Sequence, residues 1–278
     1  MKHVTDGERP QFMEFLTILL SALFSLFSPA GFVAEQVAAQ AIRNQFDQVE
    51  TLAVRIDSTP NYQLVQGKAD RIRIAGRGIY PEADLRIAAL DIETDAIAIS
   101  PTSLRTGNPQ LEKPLNAGIH LVLTREDINR ALQSPEVTDR LRNLSFDLLG
   151  SPAQQLERYD FVDPQVTFLE NQRIRLQVTL QSQQTATQVT IIAETGIQIT
   201  NGRQLQLIDP IAKINDRPLP PQLINLLVGG INDRLDLAKL EEQGITARIL
   251  QWNVDRDQLS LAAFIRVEPE FDPSSLTQ

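Results

Sequence analysis

The sequence predicts an α+β fold: a long antiparallel β-sheet, an N-terminal amphipathic helix against its apolar face, and few further helices. Three observations carry this expectation. Many stretches alternate apolar and polar residues with a period of two. Short turn signals, not helical crossovers, separate most of them, as antiparallel sheet with one apolar face requires. One segment near the start, "FVAEQVAAQAIRNQF" (32–46), instead repeats its apolar residues at helical spacing.

The chain opens differently. "FLTILLSALFSLFSPAG" (15–31) has no charged residue, and the uncharged run continues to Ala34. As a helix rising about 1.5 Å per residue, Phe15–Phe27 would cover about 20 Å and Phe15–Ala34 about 30 Å. The longer figure matches a bilayer core, but Pro29 and Gly31 interrupt it. The shorter suits a signal-peptide apolar region, with Ser28 and Ala30 as small residues at a cleavage site. Against a signal, Lys2 and Arg9 are offset by Asp6 and Glu8, and Met13 is a second candidate start. Glu14, Thr17, Ser21, Ser25 and Ser28 fall within an arc of about 80° at helical spacing. Phe15, Leu16, Ile18, Leu19, Leu20, Leu23, Phe24, Leu26 and Phe27 occupy the rest, too wide an arc to hide in one groove of a soluble core. An uncleaved membrane anchor is the preferred reading, ahead of a signal peptide and of a core helix. Residues 1–30 are therefore set apart from a domain over 31–278, with an internal boundary near 150–163 at "LGSPAQQ".

Within the domain, Val33, Val37, Ala38, Ala41, Ile42 and Phe46 form the apolar side of the first helix, opposite Glu35, Gln36, Gln40, Arg43 and Asp47. Strand patterns follow at "LAVRI" (52–56), "DRIRIAG" (70–76), "DLRIAALDIETDAIAIS" (84–100), whose phase shifts around Ala89–Leu90, and "GIHLVL" (118–123). Turn signals stand at "STPNY", "GRGIYPEAD" and "RTGNPQ". Thr124, with Asp127 three residues on, predicts a capped helix start, and Pro135 a second short helix. Further strands are "RIRLQVTLQ" (173–181), "TQVTIIAE" (187–194) and a hairpin "GIQIT-NG-RQLQL" turning at Asn201–Gly202. A helix at "PPQLINLLVGGINDRL" (220–235) precedes a final hairpin, "GITARILQWNV-DRD-QLSLAAFIRVE". Each half runs strands, helix, strands, without a residue-level repeat.

Composition excludes several functions. A net charge of −9 argues against nucleic acid, whose phosphates need a basic partner. With no cysteine there are no disulfides, thiolate metal sites or cysteine nucleophiles. His3 and His120 are the only histidines, and His120 alternates with Ile119 and Leu121, towards solvent or the sheet rim. Phosphate loops, nucleophile elbows, zinc-helix motifs and EF-hand loops are absent, and "GRG" (76–78) reads as a bulge or turn. Asp91, Glu93 and Asp95 read as a solvated strand face, and the lone Trp252 as no stacking platform. The expectation is a protein that is not an enzyme and carries no cofactor or metal. Many alternating strands with few helices leave apolar surface for a ligand, partner or membrane to cover. Val37, Ala41 and Ile42 on the helix and Ile72, Ile74, Ile191 and Ile199 on strands are the candidate contacts.

Particular residues carry a resemblance. The helix "AEQVAAQAIRNQF", then Pro60, Leu64, Gly67, Asp70, Ile72, Ile74, Gly76 and Gly78, then Leu123, Thr124, Asp127, Asn129, Ala131 and Leu132, are similar to the pattern of the LmeA-like phospholipid-binding family. "SPAGFVAEQVA" and "ALQSPEV" resemble its cyanobacterial branch. The resemblance implies a membrane-associated envelope protein, on the periplasmic side, binding a phospholipid or similar amphiphile. It implies an apolar groove in a curved sheet wrapped on the N-terminal helix, like a tubular lipid-binding domain, and supplies no catalytic residues. The expected function is non-enzymatic phospholipid binding or shuttling. The alternative is a structural or protein-interaction envelope module whose sheet covers itself.

Overall fold

The structure is a computed structural model, described over residues 35–106, 109–135, 137–138, 159–183, 185 and 187–271. The anchor candidates Phe15–Phe27 and most of the helix expected from Pro135 lie outside the described residues.

Helix α1 (Glu35–Arg43) leads into β1 (Gln48–Asp57). Next come β2 (Lys68–Ala69), β3 (Arg71–Glu82), β4 (Leu85–Thr94), β5 (Ile97–Ala98), α2 (Pro101–Thr106), β6 (Leu115–Thr124) and α3 (Arg125–Leu132). The second half holds β7 (Tyr159–Phe168), β8 (Arg173–Ser182), β9 (Gln188–Thr200), β10 (Gln204–Ile214), β11 (Arg217–Pro218), α4 (Pro221–Arg234), β12 (Ile245–Val254) and β13 (Gln258–Val267). The expected antiparallel, sheet-rich architecture with few helices is what forms.

Where one long sheet was expected, the strands divide into two. A six-stranded sheet runs β1-β3-β4-β6-β13-β12 and a five-stranded one β11-β10-β9-β8-β7, with β2 and β5 as a small separate pair. Every paired neighbour is antiparallel. The C-terminal strand β13 inserts beside β6, from Val267 opposite Leu115 to Gln258 opposite Thr124. Local pattern cannot announce such a non-local pairing.

The expected turn at "GRGIYPEAD" shrinks to Ala83–Asp84, because β3 continues through it. Gly78 makes this possible. It lies at φ +55°, where a side chain would strain the backbone, and an added Cβ would overlap the Glu50 carboxylate. The buried positions of β3 change parity there, from Ile72 and Ile74 to Ile79. Strand β4 changes with it, from Ile87 to Leu90 and Ile92, so the expected phase shift is met across the pairs Ile79–Ile87 and Gly76–Leu90.

Apolar residues of the six-stranded sheet form the main core with Ile42 and Phe46 from the α1 region, Ile97 and Ile99 near β5, and Leu111, Leu240 and Phe271 from connections. Thr124 caps α3 as expected, its side chain accepting from the Asp127 N–H. Asp127 itself is buried and held by Arg86 Nη1 at 2.9 Å, Thr124 Oγ1 at 2.7 Å and Arg130 Nη1 at 3.2 Å. This fastens the start of α3 to β4.

Candidate functional site

Cross-strand partners in a sheet project to the same face, so register identifies what each face carries. In the five-stranded sheet Phe161 pairs with Leu180 and Val166 with Leu176. Leu176, Val178 and Leu180 then pair with Ala193, Ile191 and Val189. On β10, Leu205, Leu207 and Ile214 lie opposite Ile199, Ile197 and Ile191. One face is thus largely apolar across its width, with Thr195, opposite Ile174, as a polar member whose hydroxyl donates to the Gly196 and Ile208 carbonyls. The other bears Arg175 and Glu194, paired at 2.8 Å, with Gln177 and Thr179.

This aliphatic face is incompletely closed. Val178 and Leu180 are buried, whereas Leu176, Ile191, Ile197, Ile199, Leu205 and Leu207 are half-buried. Helix α4 runs along the outer edge of β10, where Asn232 Oδ1 accepts from the Leu207 N–H at 3.0 Å and the Leu235 carbonyl from the Leu205 N–H at 3.3 Å.

The two sheets meet at a second apolar cluster. Phe168 of β7 is buried with Val254 of β12 and Leu259 of β13, and Ile128, Val166, Ile174, Trp252 and Leu261 pack against them. Leu259 and Leu261 lie opposite Leu123 and Leu121, which pack on the main core, so the inner face of the six-stranded sheet is apolar up to this seam. Polar contacts hold the seam from outside. The Asn129 side chain donates to the Val166 carbonyl at 3.0 Å and accepts from the Val166 N–H at 2.6 Å, imitating a neighbouring strand. Arg256 pairs with Glu170 at 3.1 Å on the surface, and the Gly202 carbonyl accepts from the Ile249 N–H.

A separate hollow of about 520 Å³ crosses the six-stranded sheet. Ala53, Ala75, Gly118 and Ala262 give it short side chains, and Arg55, Arg73, Asp91, Glu93 and His120 also line it. Its two arginines and two acids balance. Arg55 and Arg73 both engage Asp57, Arg71 engages Glu93, and Arg77 engages Asp91. Arg73, as the stronger hydrogen-bond donor, with Arg55, holds the Asp57 carboxyl below the usual carboxylate range. At the other end of β1, Arg86 holds Glu50 low in the same way. His120 bridges Ser260 Oγ at 3.0 Å and Asp91 Oδ2 at 3.5 Å. The order acid, imidazole, hydroxyl is that of a nucleophile relay, but such chemistry also needs free donors for an oxyanion. Ser260 stands mid-strand between β6 and β12, with ladders on both sides, and Asp91 is turned towards Arg77. These residues form a cross-strand chain in which His120 is exposed and Asp91 and Ser260 are half-buried.

Residues 28–264 match the family described as LmeA-like phospholipid-binding. That span is most of the 278 residues. The chain belongs to the LmeA-like phospholipid-binding family. No curated protein and no solved structure matches it. Among the described residues no helix is long and apolar enough to cross a membrane.

Within this LmeA-like chain the seven candidate contacts separate. Ile42, Ile72 and Ile74 are buried in the main core, Ile74 also bordering the hollow. Ala41 is half-buried on α1, and the Val37 side chain lies outside the described residues. Ile191 and Ile199 share the half-open face of β9. Helix and strand contacts are therefore not one patch. Sequence reasoning passed over Phe168 and Val166, because "YDFVDPQVTF" is broken by a bulge at Asp163, φ +51°, and Pro164. Trp252 was read only as no stacking platform, and its place in the seam was passed over as well.

Proposed function

We propose that this LmeA-like protein binds a phospholipid or similar amphiphile without transforming it, at the apolar lane formed by the five-stranded sheet and the seam. The observation that supports this reading most is the face of β8, β9 and β10, largely aliphatic across its width yet half-buried. A contiguous apolar surface of that kind marks a site for a ligand, partner or membrane. The family's phospholipid-binding description selects the ligand. Each methylene buried contributes about 0.8 kcal/mol, so one long acyl chain supplies ample drive. The lane takes the place of the groove expected in a tubular lipid-binding domain.

The protein acts at a membrane of the cell envelope, on the periplasmic side, holding or shuttling lipid. The uncharged run Phe15–Phe27 serves as its anchor, and nucleic acid is no partner of a chain with net charge −9. Lipid extraction and mass analysis of purified protein tests the binding. A co-purified diacyl lipid, retained at high salt because the drive is hydrophobic, is expected. No co-purified lipid, with no uptake of a fluorescent phospholipid, would favour a self-covered structural module. Full-length chain found unprocessed and wholly in the soluble fraction would end the anchor assignment.

A further inference from the structure

The seam between the sheets is lined by hydrocarbon but, among the described residues, contains an unmatched polar atom. Trp252 packs against Phe168, Val254 and Leu259, together with Ile128, Val166, Ile174 and Leu261. Its indole Nε1 is shielded from solvent, and no acceptor among the described residues bonds to it. Buried donors in folded proteins are almost always paired, and an orphan requires a specific explanation. A bridging water would need about two to four polar partners, and apart from Trp252 the side chains of this cluster are hydrocarbon. The Asn129 amide, the polar side chain fastening the same seam, is already committed to both backbone groups of Val166.

Resting on the lipid reading above, we propose that Trp252 is the polar anchor of the site, donating its indole N–H to an ester carbonyl oxygen of the bound acylglycerol. The acceptor must be neutral, because a phosphate among these side chains would be stripped of water without a counter-charge. An ester carbonyl is neutral, accepts a hydrogen bond, and lies where the acyl chains join the glycerol. An indole suits that boundary, with an apolar body and one donor. The enclosure of Nε1 requires the ligand to part Phe168 from the β12–β13 side as it enters. Among the described residues, the polar ties that resist this include the Asn129 bridge, the exposed Arg256–Glu170 pair and the Gly202–Ile249 hydrogen bond.

The test uses the full chain and vesicles of ester-linked or ether-linked phosphatidylcholine with identical chains, the ether lipid lacking the carbonyls. Wild type should take up the ester lipid with an affinity about three- to tenfold higher, the scale of one neutral hydrogen bond. W252F should lose that preference by weakening ester binding alone, while the urea midpoint of the lipid-free protein does not fall. A separate readout needs no variant: Trp252 is the chain's only tryptophan, and its emission should shift further to the red with ester than with ether lipid. Equal loss of both lipids in W252F, or equal emission with both, would assign Trp252 a packing role and overturn the proposal. Uptake of neither lipid by wild type would instead remove the lipid reading itself, and this inference with it.

Discussion

The six-stranded and five-stranded sheets are written in the same alternating pattern, yet their apolar faces end in different states. In the first, Ile72, Ile79 and Ile245 are 0% exposed, covered by α1, the β5 region, and connections that contribute Leu111, Leu240 and Phe271. In the second, the buried apolar side chains among the described residues are Pro164, Phe168, Val178 and Leu180, and most of β9 and β10 stays half-buried. Alternation therefore specifies that a face is apolar, but not what closes it. Closure depends on elements that arrive from far along the chain. A sheet closed by its own chain contributes stability, whereas a half-open one keeps apolar surface available for binding, the usual location of the less stable parts of a fold.

The largest expected effect lies in that contrast of stability. Ile72→Ala should cost about 2–5 kcal/mol, the range for truncating a fully enclosed aliphatic side chain. Ile191→Ala should cost about 1 kcal/mol, because less of its surface leaves water on folding. Urea denaturation of both variants measures the difference. Equal costs would mean that the second sheet is as closed as the first.

Function should divide the sheets in the opposite direction. Ile191→Asp places a carboxylate in the middle of the half-open face, where it retains water and lowers stability modestly. The same charge would meet an acyl chain with no partner, so phospholipid uptake should fall at least about tenfold. Fluorescent-lipid transfer at matched folded fractions tests this. Undiminished uptake by a folded Ile191→Asp protein would move the ligand away from β9.

Between the sheets the critical side chain is Asn129. Asn129→Ala leaves both the N–H and the carbonyl of Val166 without their partner, at a cost of about 1–3 kcal/mol. Hydrogen exchange should accelerate in β7 and hardly change in β3 and β4. Uniform acceleration would show that the sheets open together.

Much of this contrast was legible in the sequence, and the missing parts have physical reasons. The period-two runs located β1, β6, β8, β12 and β13, because apolar residues recur at every second position along each, and β4 in spite of its shift of phase. The Asn201–Gly202 turn was legible because both residues adopt positive φ, at 53° and 67°. Ile191 and Ile199, two of the seven candidate contacts, lie on one face of β9. Ile42 and Ile72 satisfy the same pattern, but partners distant in sequence, such as Leu240 and Phe271, enclose the core to which they belong. Strand β7 was hidden by the bulge at Asp163–Pro164, and the split into two sheets by the insertion of β13 beside β6. The Asn129 bridge was not legible either, since it joins residues 37 apart through a side chain that imitates a backbone.

The smallest expected effect concerns acid, and it falls on the closed sheet. Glu50 and Asp57 stand at opposite ends of β1, and each is held below its ordinary range by arginine. For Glu50 the main cause is the hydrogen bond from Arg86, with Tyr80 assisting; for Asp57 it is that from Arg73, with Arg55 assisting. A depressed pKa means that the folded state binds the proton less readily than the unfolded state does. Each carboxylate therefore stabilises the fold fully above its unfolded pKa, about 4.3 for Glu and 3.9 for Asp. That contribution disappears as pH falls through the lower folded value. Solvent screens both groups, so the slope should be shallow. Urea midpoints measured from pH 5 to pH 2 should fall for wild type, and less steeply for Glu50→Gln and Asp57→Asn, whose midpoints at pH 5 should already be slightly lower. If the neutral variants kept the full acid slope, the acid response would arise elsewhere, and β1 would hold the six-stranded sheet by its apolar contacts alone.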